Sequence, residues 1–161
     1  MVEHIELGKV EIEGQIEDEI IKKIDKALND NGFELIDDKK SKIIEKIKNT
    51  IIEIIHYKKE IPDNVNISDF IARELGYDYS YLSKLFSSIG DTTIEKYIIN
   101  QKIERVKELL TYDELSLTEI SYQVGYSSVQ HLSNQFKKNT GFSPSQFKKS
   151  KKKKRNPLDK V

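Results

Sequence analysis

Two stretches of this sequence repeat one another. GYDYSYLSKLFSSIG runs from Gly76 to Gly90, and GYSSVQHLSNQFKKNTG runs from Gly125 to Gly141. Both open Gly-Tyr, both carry Leu-Ser-x-x-Phe and both close on Gly; the second has one extra residue before its Leu-Ser. Gly favours the left-handed conformation that ends a helix. A short polar residue two or three places later suits a helix N-cap. Each copy therefore predicts a helix stopped by Gly, a tight turn and a second helix, which is the helix-turn-helix layout.

The flanking residues extend this pattern. Asn66 or Ser68 can cap a helix ending at Gly76, and Asp78 can cap the next, YSYLSKLFSS. Thr92 or Thr93 opens a long helix, IEKYIINQKIERVKELL, with Ile94, Tyr97, Ile98, Val106, Leu109 and Leu110 facing inward. Ser116 with Glu119 makes a capping box before a helix that Gly125 stops. Ser127 or Ser128 caps the helix carrying HLSNQFKKN, and Ser143-Pro144 starts a short final one. The linking helix, of roughly twenty residues, spans about 30 Å, close to the ~34 Å of one DNA turn.

In the second helix of each copy, apolar and polar residues separate. Leu82, Leu85 and Phe86 point inward in the first, and Leu132 and Phe136 in the second. The outer face carries Ser80, Ser83, Lys84 and Ser87 in the first copy. In the second it carries Gln130, Ser133, Asn134 and Lys137. These short, hydrogen-bonding or cationic groups can reach base edges and phosphates. Asp and Glu are absent from residues 79–87 and 128–139.

Charge is distributed unevenly. Residues 1–38 hold 4 Lys and 12 Asp or Glu, a net −8, whereas residues 39–161 hold 23 Lys or Arg and 15 Asp or Glu, a net +8. A basic body is what a polyanion-binding protein needs. The run KKSKKKKR, Lys148–Arg155, which leads into a basic tail (151–161), is expected to be disordered and to raise affinity without reading sequence.

The N-terminal segment differs in kind. HIELGKVEIEG, residues 4–14, alternates like a β-hairpin around Leu7-Gly8-Lys9, with Ile5, Leu7, Val10 and Ile12 on buried sides. QIEDEIIKKIDKALNDNG has helical spacing up to Gly32, and FELID (33–37) reads as a short strand. An isoleucine-rich helix follows, from about Lys39 to Lys59, expected either to bury itself against this unit or to form a dimer seam. IPDNVN, 61–66, reads as a linker. The expected fold class is mainly α: two helix-turn-helix subdomains (67–150) joined by a long helix, preceded by a small α+β unit (1–60).

No cysteine is present, which excludes disulfides and thiol catalysis and favours a cytoplasmic location. No apolar run approaches the ~18 residues of a membrane span, and no signal-peptide core follows the start. His4, His56 and His131 are not spaced as a metal or catalytic set, so neither enzymatic activity nor a cofactor is expected. A helical protein-docking module without sequence-specific DNA binding is the alternative.

Residues 64–150 closely resemble the DNA-binding domain of the AraC/XylS family of bacterial transcription regulators. The matches include Leu75-Gly76-Tyr77, Tyr81-Leu82-Ser83-Lys84-Leu85-Phe86, Val124-Gly125-Tyr126, Phe136-Lys137-Lys138 and Gly141-Phe142-Ser143-Pro144-x-x-Phe147. The resemblance implies two recognition helices, about 79–88 and 128–139, in successive major grooves of duplex DNA. It implies base readers Ser80, Ser83 and Lys84, then Val129, Gln130, Ser133 and Asn134, with Lys137 and Lys138 beside them, and RNA polymerase as a further partner. Family members usually have Arg at the position of Lys102, Phe at Leu132 and often Arg at Asn134. With only Arg73, Arg105 and Arg155 in the chain, guanine contacts by Arg are scarce, which favours an A/T-leaning site. The order hairpin–helix–strand, with Gly32-Phe33, faintly resembles the later part of a heavy-metal-associated ferredoxin-like domain. That fold's metal-binding cysteine pair is absent. Such a half-fold implies completion either by a second copy, giving a homodimer through residues 1–60, or by the 39–59 helix of the same chain.

Overall fold

A computed structural model of the chain describes residues 2–6, 9–33, 35–36 and 38–155, and the side chains of those from Ile12 to Lys151. It divides into two compact units, residues 1–38 and 39–161.

In the first unit, strands β1 (Val2–Glu6) and β2 (Lys9–Ile12) pair antiparallel, with Ile5 opposite Val10 and Glu6 opposite Lys9. Helix α1 (Asp18–Asp30) follows, with Asp18 and Glu19 in its first turn favouring the positive end of the helix dipole. Gly32 is left-handed, and the Phe33 N–H returns to the Leu28 carbonyl, closing the helix. Two expectations fail here. Phe33, Leu35 and Ile36 form no strand, because the chain is still completing the helix cap at Phe33, which is 66% exposed. Ile12, expected on a buried side, is 38% exposed, and α1 buries no residue. Leu7 of the expected hairpin turn lies outside the described residues.

The second unit holds seven helices among the described residues. They are α2 (Asp38–His56), α3 (Ile67–Leu75), α4 (Tyr79–Ile89), α5 (Ile94–Tyr112), α6 (Leu117–Val124), α7 (Val129–Thr140) and α8 (Pro144–Arg155). Their caps follow from the sequence. Asn66, Thr93, Ser116 and Ser128 each accept from the backbone N–H three residues on, and Ser116 and Glu119 complete a capping box. Asp78 holds the N-cap position of α4, but its side chain makes no cap hydrogen bond. The turns explain the extra residue of the second copy: three residues, 76–78, separate α3 from α4, and four, 125–128, separate α6 from α7.

Two apolar cores share α5. The first joins Ile43, Ile44, Ile47, Ile51 and Ile55 of α2 to Ile71 of α3, to Leu82, Leu85 and Phe86 of α4, and to Ile94 at the start of α5. The second joins Ile103, Val106, Leu109 and Leu110 of α5 to Ile120 and Val124 of α6, Tyr126, and Leu132 and Phe136 of α7. Each fully buried Ile or Leu contributes roughly 1.5–3 kcal/mol.

This corrects the domain reading at α2. That helix is buried, but against the first helix-turn-helix, so the compact unit begins at Lys39 and not near residue 60. The reason is supply and demand of apolar surface: α3 and α4 are 9 and 11 residues long and need a third helix to enclose Ile71 and Leu82. His56 Nε2 lies 2.9 Å from Gln101 Oε1 of α5, tying the end of α2 to the shared helix.

The basic run is corrected too. Lys148–Arg155 is helical, not a disordered tail; the rest of the expected tail, residues 156–161, lies outside the described residues. Ser143 and Gln146 cap α8 reciprocally, at 3.1 and 2.9 Å, and Pro144 is buried at its first position. Phe147 packs edge-on against Phe136 with ring centres 5.5 Å apart, and Lys148 pairs with Asp113. Cations in a last helical turn are favoured by the dipole.

Candidate nucleic-acid interface

Helices α4 and α7 correspond in register at an offset of fifty residues, Leu82 matching Leu132 and Phe86 matching Phe136. In each, those two side chains are buried, which orients the opposite face outward. Ser80, Ser83, Lys84 and Ser87 stand at i, i+3, i+4 and i+7 on α4; Gln130, Ser133, Asn134 and Lys137 hold the same places on α7. Ser80, Lys84 and Ser87 are exposed, and so are Gln130, Asn134, Lys137 and Lys138; Ser83, Ser133 and Val129 are half-buried. All ten side chains picked out by sequence thus fall on these two helices. Neither helix carries an Asp or Glu, so the cations Lys84, Lys137 and Lys138 have no competing charge on their own element.

Three sets of contacts hold these faces in place, and sequence alone did not single them out as supports. The Tyr79 hydroxyl donates to Glu95 Oε1 at 2.5 Å, tying the start of α4 to the start of α5. That bond holds the Glu95 carboxyl below its ordinary range, and burial first, then the bond, pushes the Tyr79 phenol up to about 12. Lys102 of α5 reaches the turn of the second copy, its Nζ 3.3 Å from the Gly125 carbonyl and 5.1 Å from the centre of the Tyr126 ring. Burial lowers the Lys102 pKa and pushes the Tyr126 phenol up to about 12. Tyr126 in turn meets the His131 ring edge-on at 5.3 Å, while Ser127 Oγ lies 3.2 Å from His131 Nδ1. Lastly, Gln130 Nε2 donates to Asn134 Oδ1 at 2.9 Å. The i, i+4 spacing of that last pair is visible in the sequence; the first two contacts join residues 16 and 23 positions apart.

Among the described residues no group of three or more His, Cys, Asp or Glu could hold a metal ion. No helix there is long and apolar enough to cross a membrane.

Residues 71–150 match the family model described as a helix-turn-helix domain. Over 107 residues the chain is 33% identical to an uncharacterized HTH-type transcriptional regulator in the cgkA 5′ region of Pseudoalteromonas carrageenovora, covering 65% of this chain and 63% of that protein. Over 101 residues it is 36% identical to the Msm operon regulatory protein of Streptococcus mutans, covering 63% of this chain and 35% of the other. The chain thus spans less than two thirds of the length of these curated relatives. Among solved structures, the C-terminal domain of the two-component response regulator yesN from Fusobacterium nucleatum aligns with a TM-score of 0.56 at 28% identity, over 65% of this chain and 95% of that one.

Proposed function

We propose that residues 71–150, which match a helix-turn-helix family model, form an AraC-type DNA-binding domain, and that this chain regulates transcription by laying α4 and α7 in successive major grooves of duplex DNA. One observation carries the geometry: two acid-free, hydrogen-bonding helix faces recur at a fifty-residue offset, each set by its own core, on opposite halves of one 19-residue helix. That helix spans about 28 Å, comparable with the ~34 Å of one DNA turn. Ser80, Ser83 and Lys84 read one groove segment, and Val129, Gln130, Ser133 and Asn134 the other. Lys137 and Lys138 neutralise phosphate. The setting is the bacterial cytoplasm, with RNA polymerase as the machinery that such a regulator addresses.

Self-association, expected through residues 1–60, narrows to residues 1–38. Ile43, Ile44, Ile47, Ile51 and Ile55 of α2 are already used in a core, whereas Ile20 of α1 is 46% exposed.

The test is selection of bound fragments from a random duplex pool, followed by salt titration. Lys84→Ala and Asn134→Ala should each weaken specific binding by about 1–3 kcal/mol and relax preference in separate segments of the motif. Effects on the same base pairs would refute the two-groove geometry. Binding insensitive to salt, with no selected motif, would instead leave a protein-docking module.

A further inference from the structure

The bond between Gln130 and Asn134 bears on which base is read, given that α7 faces base edges as proposed above. A free Asn side chain offers an acceptor and a donor from one edge. It therefore pairs bidentately with adenine, accepting from N6–H and donating to N7. Asn134 is not free in that sense. Its Oδ1 accepts from Gln130 Nε2 at 2.9 Å, one helical turn toward the N-terminus of α7. With the oxygen turned along the helix, the Nδ2 hydrogens are what the side chain presents beyond it. Two donors suit guanine O6 and N7, or thymine O4; they meet a like donor in the amino group of adenine or cytosine. Gln130 gives one hydrogen to this bond and keeps Oε1 and its other hydrogen.

The first copy supports the same polarity. Lys84 occupies on α4 the place that Asn134 occupies on α7, and an ammonium group can only donate. Both helices thus present donors alone at the equivalent position, one by residue type and the other by the company Asn134 keeps.

We infer that Gln130 and Asn134 form one reading unit: Gln130 sets the direction of the Asn134 amide, so that Asn134 selects guanine or thymine and disfavours adenine.

Replacing Gln130 by Glu tests this, because a carboxylate has no hydrogen to give. Asn134 must then donate Nδ2 to residue 130 and turn Oδ1 outward, reversing what it offers to DNA. The base pair read by Asn134 is first located as the one whose preference collapses in Asn134→Ala. In the unaltered chain, guanine or thymine there should outbind adenine by about tenfold. In Gln130→Glu, adenine should become the favoured base at that pair, even though the added negative charge weakens binding generally. In Gln130→Ala, which frees the amide, the three bases should fall within about threefold of one another.

Adenine preferred by the unaltered chain, or an unchanged preference in Gln130→Glu, would overturn the inference. Should Asn134→Ala leave every base preference intact while the chain still selects a motif, the inference falls and DNA reading by the domain stands. No motif from the unaltered chain removes both. Residues 130 and 134 are exposed, and melting curves of the variants confirm that the fold is kept.

Discussion

Lys102 donates from the middle of α5 to the Gly125 carbonyl, bracing the turn that separates α6 from α7. Gly125 is left-handed, with φ of 78°, so the carbonyl is fixed where a cation can reach it. Burial nonetheless lowers the Lys102 pKa, a desolvation cost that the contacts with the carbonyl and the Tyr126 ring oppose.

The opposing effects nearly cancel, so Lys102→Met, which keeps the apolar stem, should change stability by less than about 1 kcal/mol. Lys102→Ala also loses the stem and should cost about 1–2 kcal/mol. Because the folded pKa lies below that of the unfolded chain, the unfolded state binds more protons in the window beneath 10.5. This group's contribution therefore rises with pH in that window. Denaturant melts of both variants from pH 7 to 10 check it.

Tyr126 gives the opposite sign. Its hydroxyl is buried with no hydrogen-bond partner among the described residues, and its pKa is raised from 10.0 to about 12. Between those values the unfolded chain loses a proton that the folded chain keeps, so stability falls as pH rises. Tyr126→Phe should flatten that fall. It should also stabilise the protein by about 1 kcal/mol at neutral pH, since an unpaired buried hydroxyl is removed. A less stable Phe variant at pH 7 would show that the hydroxyl is satisfied in solution.

The role of α2 is tested by truncation. Ile47 and Ile51 are fully buried in the first core, so Ile47→Ala or Ile51→Ala should each cost about 2–5 kcal/mol. A fragment of residues 39–161 should fold cooperatively. A fragment of residues 60–161 should expose the first core while the second persists, seen as loss of amide protection in α3 and α4 only. Equal protection in both fragments would refute the assignment of α2 to the first subdomain.

The basic end of α8 is expected to act on phosphates. Deleting residues 151–155 removes five positive charges and, apart from Lys151 over the Phe147 ring, leaves the packing of Phe147 on Phe136 in place. Specific and non-specific affinity should fall together, and the salt dependence should become shallower by about 0.9 for each phosphate that is no longer neutralised. A shift in the selected motif would mean instead that this end reads bases.

How much of this was legible beforehand depends on the range of the interactions involved. Gly76, Gly125 and Gly141 as helix stops, the box of Ser116 with Glu119, and the inward Leu82, Phe86, Leu132 and Phe136 are all consequences of bonds within a few residues. Local sequence determines such bonds, so the two helix-turn-helix copies and their outward faces could be read from it. The choice between Ser127 and Ser128 as cap, or Thr92 and Thr93, needed the backbone. The destination of the α2 isoleucine stripe was a tertiary matter, because periodicity shows that a face is apolar but not what covers it. The same holds for FELID, whose alternation suits a strand while the chain there is still closing α1. The braces from Tyr79 to Glu95 and from Lys102 to Gly125 join residues that only the packing of α4 and α6–α7 on α5 brings together. Sequence sets which faces must be buried; the tertiary structure decides against what, because burial is satisfied by any apolar surface of matching shape and only the folded chain selects one.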